Sequence, residues 1–267
     1  MVLSYDDGTI EDIELARLFD KNKLVGTFNL NSRYLGVTRS WPQKNGDTIY
    51  QKYVPKDSLL IIYKNHEIAA HGTLHKNFGD ILNKEILEEV NTDIDALTKL
   101  TNKDIVSLAY PFGNTNASIA KLISRTGIIN GRTVADTYKF SLPEHYMMWH
   151  PTCHDSKALD YLSTYLEMNN QELSLFYVWG HSWEFGDVKR WYDMVKFCNK
   201  VGKAKDIWSV GNGELTKYLK AIENIEIKNN RITNPVDNEA IWINLSTGIK
   251  KLNPGNTIKI KTMAKSV

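Results

Sequence analysis

The chain has 267 residues, 42% of them apolar, with 33 lysines and arginines against 31 aspartates and glutamates and a net charge of +2. It can bury a sizeable core, while the balanced charge gives no global field to attract nucleic acid or a membrane. No apolar stretch approaches a membrane span, and Cys153 and Cys198 stand too far apart in sequence to suggest a thiolate zinc site or a disulfide framework.

Val2-Leu3 reads as a short strand ending in Ser4-Tyr5-Asp6-Asp7-Gly8. A twist at a strand end sends one carboxylate to a cation and leaves the other as a base, whereas Asp-Asp-Gly taken alone is a solvated turn. Ile10, Ile13, Leu15, Leu18 and Phe19 then fall at helical spacing over Thr9 to Asn22, and Leu24 to Leu30 has the content of a buried strand. Residues 31 to 55 are polar and aromatic (Arg33, Tyr34, Arg39, Trp41, Tyr50, Tyr53), a length more often functional than idle. Asp57 is placed to cap a short helix through Leu59, Leu60 and Tyr63.

His66 to Ala70 reads as a brief strand delivering His71-Gly72-Thr73-Leu74-His75. Gly79 to Asn102 has Ile86, Val90, Ile94 and Leu97 at helical spacing. A strand over Ile105 to Tyr110 ends in Pro111-Phe112-Gly113, and a helix over Ala117 to Arg125 leads to a strand near Ile128-Ile129 and then to Arg132. After an irregular stretch around Trp149, a helix over Ala158 to Asn169 precedes a strand over Leu173 to Trp179 that ends in Gly180-His181-Ser182-Trp183-Glu184. Helices over Val188 to Val201 and Gly213 to Ala221 flank Ile207 to Val210, a candidate last barrel strand. Such alternation predicts an α/β fold with a parallel sheet or barrel. From Ile222 the pattern turns to short strands and Asn-Pro and Pro-Gly turns. The expected organisation is therefore a domain over 1–221 and a hairpin extension over 222–267 packed on it.

The chemically loaded residues each follow a predicted strand: Asp6-Asp7, His71/His75, Pro111-Phe112, Arg132 and His181. In an α/β barrel those positions share the rim where active sites lie. His71 and His75, at i, i+4, with Asp7 as third ligand, make a zinc-type site with an open position for a reactive water.

Asp-Asp-Gly after a strand, Glu67-Ile68-x-x-His71-x-x-x-His75, the Pro111-Phe112 turn and a late strand ending in His181 together resemble the polysaccharide deacetylases of the NodB-homology group, carbohydrate esterase family 4, over about residues 2 to 220. The resemblance implies a distorted (β/α) barrel and a divalent metal, zinc, held by Asp7, His71 and His75. It further implies Asp6 as general base, the Phe112 backbone N–H as oxyanion donor and His181 as the acid. The implied reaction removes acetyl groups from N-acetylated amino sugars in an oligo- or polysaccharide. An O-acetyl esterase, a small-amide hydrolase and a catalytically weak carbohydrate-binding protein on the same site are the alternatives.

The sequence departs from the family at several places. The arginine that usually pairs with the base is here Ala109, leaving Arg132 as its replacement or as an ordinary surface arginine. Gly72 stands where Ser or Thr is usual, with Thr73 the candidate brace, and Trp179 stands where Leu is usual. Trp149, Trp183 and Tyr110 are candidate sugar contacts, with core burial the competing reading for the tryptophans, and Glu184 is a candidate to orient His181. His150 and His154 are candidate rim contacts. The partner is thus a carbohydrate rather than nucleic acid or a membrane. With no signal peptide the sequence as given reads as cytoplasmic, or as secreted or cell-envelope if trimmed.

Overall fold

The computed structural model describes residues 1–42, 47–168, 172–245 and 248–260. The chain divides into two compact units, Met1–Gly213 and Glu214–Val267.

In the first unit, β1 (Val2–Asp7) is buried along nearly its whole length, as a central parallel strand must be. It is followed by α1 (Asp12–Lys21), β2 (Thr27–Leu30), β3 (Thr38–Pro42), β4 (Thr48–Lys52), α2 (Leu59–Ile62), β5 (Glu67–Ala70) and α3 (Asn83–Thr101). Then come β6 (Ser107–Ala109), α4 (Ala117–Ile123), β7 (Asn130–Arg132), β8 (Cys153–His154), α5 (Ala158–Glu167), β9 (Tyr177–His181) and α6 (Val188–Val201), while α7 (Asn212–Glu223) belongs to the second unit from Glu214 on. Asn116 and Asp187 cap α4 and α6 by accepting two backbone N–H bonds each.

Seven strands form one sheet in the order β7-β6-β5-β2-β1-β9-β8, every pair parallel. The sheet curls, because β7 at one edge is bridged to Trp149, just ahead of β8 at the other edge. The Trp149 N–H donates to Gly131 O at 2.8 Å and Trp149 O accepts from Thr133 N–H at 3.0 Å. This is the α/β half-barrel expected from the alternation. Its main core runs through Leu3, Tyr5, Phe19, Phe28, Leu108, Phe176, Val178 and Phe197.

Three expectations are corrected. Part of the 31–55 stretch is an antiparallel hairpin, β3–β4, whose alternating pattern was obscured by its exposure. Ile207–Val210 is not a strand; its backbone bonds the chain start, through Met1 N to Trp208 O and Val210 N–H to Met1 O. The strand there is instead the two-residue β8, too short to leave a periodic signal. The expected end of α5 at Asn169 lies outside the described residues.

Within the second unit, described residues build two small sheets. One is β10 (Glu226–Lys228), β11 (Arg231–Thr233) and β14 (Thr257–Lys259); the other is β12 (Ile241–Leu245) with β13 (Gly248–Leu252). Ala221, Ile232, Ile241 and Leu252 form their core, with Tyr218 packed against it. That packing joins α7 to the hairpins, so the first unit ends at Gly213 whereas the change of composition falls at Ile222. No helix among the described residues is long and apolar enough to cross a membrane.

Candidate active site

Sheet register assembles the centre. At the end of β1, Asp6 is aligned with Asn29 on β2 and with His181 on β9. Asp7 follows in a left-handed conformation, φ 81°, and its Oδ1 lies near both His71 and His75, whereas Asp6 Oδ2 lies near His71 and His181. The two members of the pair are thereby differentiated.

Asp7, His71 and His75 bring one ligand atom each into a single group. His75 Nε2 lies 3.1 Å from His71 Nε2, and Asp7 Oδ1 lies 3.8 Å from His71 Nε2 and 3.7 Å from His75 Nε2. Tetrahedral zinc with bonds of about 2.0–2.1 Å needs edges of about 3.3 Å, so this triangle fits a divalent cation with little adjustment. The chemistry of the donors fits as well. His71 Nδ1 donates to Ala109 O at 2.8 Å, which leaves the Nε2 lone pair facing Asp7 and His75. Burial, outweighing the nearby aspartates, pushes the His71 imidazolium down to about 4, and burial also lowers His75, so both rings are neutral ligands near pH 7.

Two carboxylates on α3 brace the ligand loop. Asp93 accepts the backbone N–H groups of Ser32 at 2.8 Å and His71 at 2.9 Å, and Glu89 accepts Leu74 N–H at 2.8 Å. The Thr73 hydroxyl donates to Glu89 O at 2.8 Å, the expected bracing bond. Gly72 stands in place of Ser or Thr because its φ is +75°, where L side chains are strained. Neither α3 carboxylate was singled out from sequence. Their signal was positional: Glu89 and Asp93 interrupt the buried stripe of Ile86, Val90 and Leu97.

Asp6 is fully enclosed and gripped by a fork. Both of its oxygens accept from Arg132 Nη2 at 2.5 Å, and Asn29 Nδ2 donates to Oδ1 at 2.8 Å. Burial alone would raise its carboxyl, but the Arg132 guanidinium, helped by His71 and His181, overrides it and brings the group down to about 2. Arg132 itself is 1% exposed, with Nε on Ser4 Oγ at 3.2 Å and its guanidinium over the Trp179 ring at 5.1 Å. Ala109 and Arg132 are aligned across β6 and β7. The arginine has therefore moved one strand sideways at the same level, and Trp179, the second departure, supplies the face it rests on.

His181 Nε2 lies 4.0 Å from Asp6 Oδ2, with Glu184 Oε2 3.8 Å from its Nδ1. Burial would lower the imidazolium, but Glu184, Asp6 and Asp7 outweigh it and the group is raised, which suits an acid. His154, His181 and Glu184 also bring ligand atoms together, yet they do not suit a cation. Ser156 N–H donates to His154 Nδ1, so Nε2 carries the proton and points it at Glu184, whose Oε2 already accepts from Arg190 at 2.9 Å.

Phe112, in a 3-10 turn with φ 58°, sets its ring edge-on to that of His75, centroids 4.6 Å apart. Trp183 Nε1 donates to Asp7 Oδ2 at 2.9 Å, and its ring lies 5.1 Å from His181. Trp183 is thus beside both centres, but the other two aromatic candidates are corrected. Trp149 is 2% exposed and packs edge-on against Tyr177, and Tyr110 is buried with its hydroxyl on Met147 O; neither can wall a cleft. His150 is exposed and shares a 2.6 Å hydrogen bond with Thr133, and Cys153 is buried.

The open side of the centre is a cleft of about 310 Å³ lined by Asp7, Asn31, His75, Leu74, Phe112 and five residues from Tyr34 to Tyr53. Tyr34, Arg39, Trp41, Gln51 and Tyr53 all come from the long polar and aromatic stretch.

Residues 1–130 match the family model described as polysaccharide deacetylase. Among solved structures, a Mycobacterium smegmatis protein proposed to be a polysaccharide deacetylase is 15% identical with a TM-score of 0.58, over 83% of this chain and 90% of that one. A structure described as T48 deacetylase with substrate is 14% identical, TM-score 0.50, over 80% and 88%. The Streptococcus pyogenes deacetylase PplD in complex with acetate is 17% identical, TM-score 0.43, over 51% of this chain and 56% of that one, so the chain spans little more than half its length. At such identities the first two likenesses are of fold alone. No curated protein matches the chain.

Proposed function

We propose that this chain, which belongs through its first 130 residues to the polysaccharide deacetylases, is a metal-dependent hydrolase that removes acetyl groups from N-acetylated amino sugars in an oligo- or polysaccharide. The carrying observation is the Asp7–His71–His75 triangle with Asp6 and His181 on its flank.

Asp7, His71 and His75 would hold the cation, zinc by ligand type, which supplies Lewis-acid polarisation of the acetyl carbonyl and a water of lowered pKa. The remaining work belongs to side chains. Asp6 Oδ2, 3.8 Å from His71 Nε2, accepts the proton of the attacking water. Phe112 offers its backbone N–H to the developing oxyanion. As the C–N bond breaks, His181 Nε2 gives its proton to the leaving amine, and the products are acetate and the free amino sugar. A carboxyl held near 2 is ionised throughout the working range, and it returns its proton readily to His181 4.0 Å away.

Metal analysis joined to an acetate-release assay tests this reading. Asp7→Ala and His75→Ala should each lose the bound metal and lower acetate release by at least a thousandfold. Acetate release that survives both substitutions and chelation would refute the mechanism. Running the matched O-acetyl glycan alongside decides between amide and ester.

A further inference from the structure

Among the described residues that line the cleft, Arg39 is the cation that the hydrolytic scheme leaves unused. It stands on β3, and its guanidinium lies over the Tyr34 ring at 4.0 Å and the Trp41 ring at 4.8 Å. The Tyr53 hydroxyl, which donates to Gln51 Oε1 at 3.3 Å, accepts from Arg39 on its other side. A guanidinium held between aromatic rings keeps its N–H groups in a fixed plane, and a planar guanidinium suits a bidentate oxyanion.

Two other arginines, Arg132 and Arg190, are matched by acids: Arg132 by Asp6, and Arg190 by Asp155 and Glu184. Among the described residues Arg39 has no carboxylate within ion-pair distance. Among the described residues the one acid lining the cleft, Asp7, is engaged by Trp183 and faces His71 and His75. A second group points the same way. Asn31 lines the cleft, is 1% exposed, and spends its amide N–H bonds on His71 O and Gly72 O. Its Oδ1 accepts no hydrogen bond among the described residues. An enclosed acceptor without a donor costs about 1–3 kcal/mol unless a ligand hydroxyl or water supplies one.

We infer that this cleft is a subsite for a carboxylate-bearing sugar, with Arg39 taking the carboxylate, Asn31 Oδ1 a sugar hydroxyl, and Phe112 and the hairpin aromatics the ring faces. The substrate class is then an acidic glycan in which the residue beside the N-acetylated sugar carries a carboxylate. A neutral glycan leaves the guanidinium without a charge partner among the described residues, and one cation matches the single charge of a carboxylate. Calling the glycan a substrate rests on the hydrolase reading above; the subsite rests on the cleft alone.

Calorimetry on the whole protein tests it with two matched pairs of tetrasaccharides. One alternates N-acetylglucosamine with glucuronate, the other with a 3-O-lactyl amino sugar, and each is compared with its carboxyl-reduced counterpart. At least one acidic glycan should bind about tenfold more tightly than its reduced form, with the preference shrinking at high salt. Arg39→Met should bring the pair within about twofold, and Arg39→Lys should keep part of the preference. Equal binding within both pairs, no binding by either acidic glycan, or a preference that survives in Arg39→Met would overturn the subsite. Acetate release from the same glycans judges the hydrolase separately: preference without turnover refutes that reading and leaves the subsite standing.

Discussion

At the scale of single residues, Arg132 and Asp6 carry the main consequence of the missing arginine at Ala109. Replacing Arg132 by Met would leave a buried carboxylate unpaired, at a cost of about 3–5 kcal/mol near neutral pH. Without the guanidinium the carboxyl of Asp6 rises, so the acid limb of the pH profile of kcat/KM should move to higher pH, with Arg132→Lys between the two. An unmoved limb would show that Asp6 is not the titrating base. The stability contribution has the sign of a depressed acid: it is present above the ordinary aspartate value near 4 and lost as pH falls toward 2. Asp12 has the opposite sign. Burial, reinforced by Asp7, raises its carboxyl to about 7 against hydrogen bonds from Ser182 and Tyr63. Stability linked to Asp12 is therefore full below about pH 4 and lost as pH rises through 7. Asp12→Asn keeps an acceptor for the Tyr63 hydroxyl, now at 2.6 Å, so it should raise Tm at pH 8 relative to the parent and do so less at pH 5.

At the scale of elements, α3 holds the loop that carries the proposed ligands His71 and His75, although it contributes none itself. Asp93 ties the first residue of the ligand loop to the chain following β2 through the two N–H groups it accepts. Asp93→Ala should lower metal affinity by about 10–100-fold, the range for loss of an outer-shell partner, while the Asp7 and His ligands remain. Competition with a metal indicator measures this directly, and unchanged affinity would make Asp93 a fold residue only. Backbone conformation around the centre shows why bracing is needed. Asp7, His75 and Phe112 all hold left-handed backbone conformations, φ 81°, 55° and 58°, each costing about 1–3 kcal/mol. Surrounding hydrogen bonds and packing must hold them there.

At the scale of the whole molecule, a cation at this centre would tie the end of β1 to the loop after β5, two strands away across β2. Metal binding to the folded state alone should then stabilise it by about 4 kcal/mol at a thousandfold excess over Kd. A chelator should lower the Tm of the metal-loaded protein by several degrees, and added zinc should restore it. His71→Ala should remove both responses, and a Tm indifferent to metal in the parent would argue against the site.

The sequence by itself determined what local pattern can determine. Strand-terminal Asp6-Asp7, the i, i+4 pair His71 and His75, and His181 were legible because the chemistry sat next to apolar runs that announce strands. The alternation was legible for the same reason and implied the half-barrel. Only the tertiary structure decided which distant groups meet. Arg132 reaches Asp6 because the sheet curls its edge strand over the centre, and no spacing along the chain encodes that curl. Trp149 and Tyr110 had the right residue type but point into the core, since burial depends on what packs against a side chain. Tyr34, Arg39, Trp41 and Tyr53 came together only when residues 38–52 folded back as a hairpin beside Asp7 and His75. Local periodicity fixes which face a residue occupies, and the three-dimensional path of the chain fixes what that face meets.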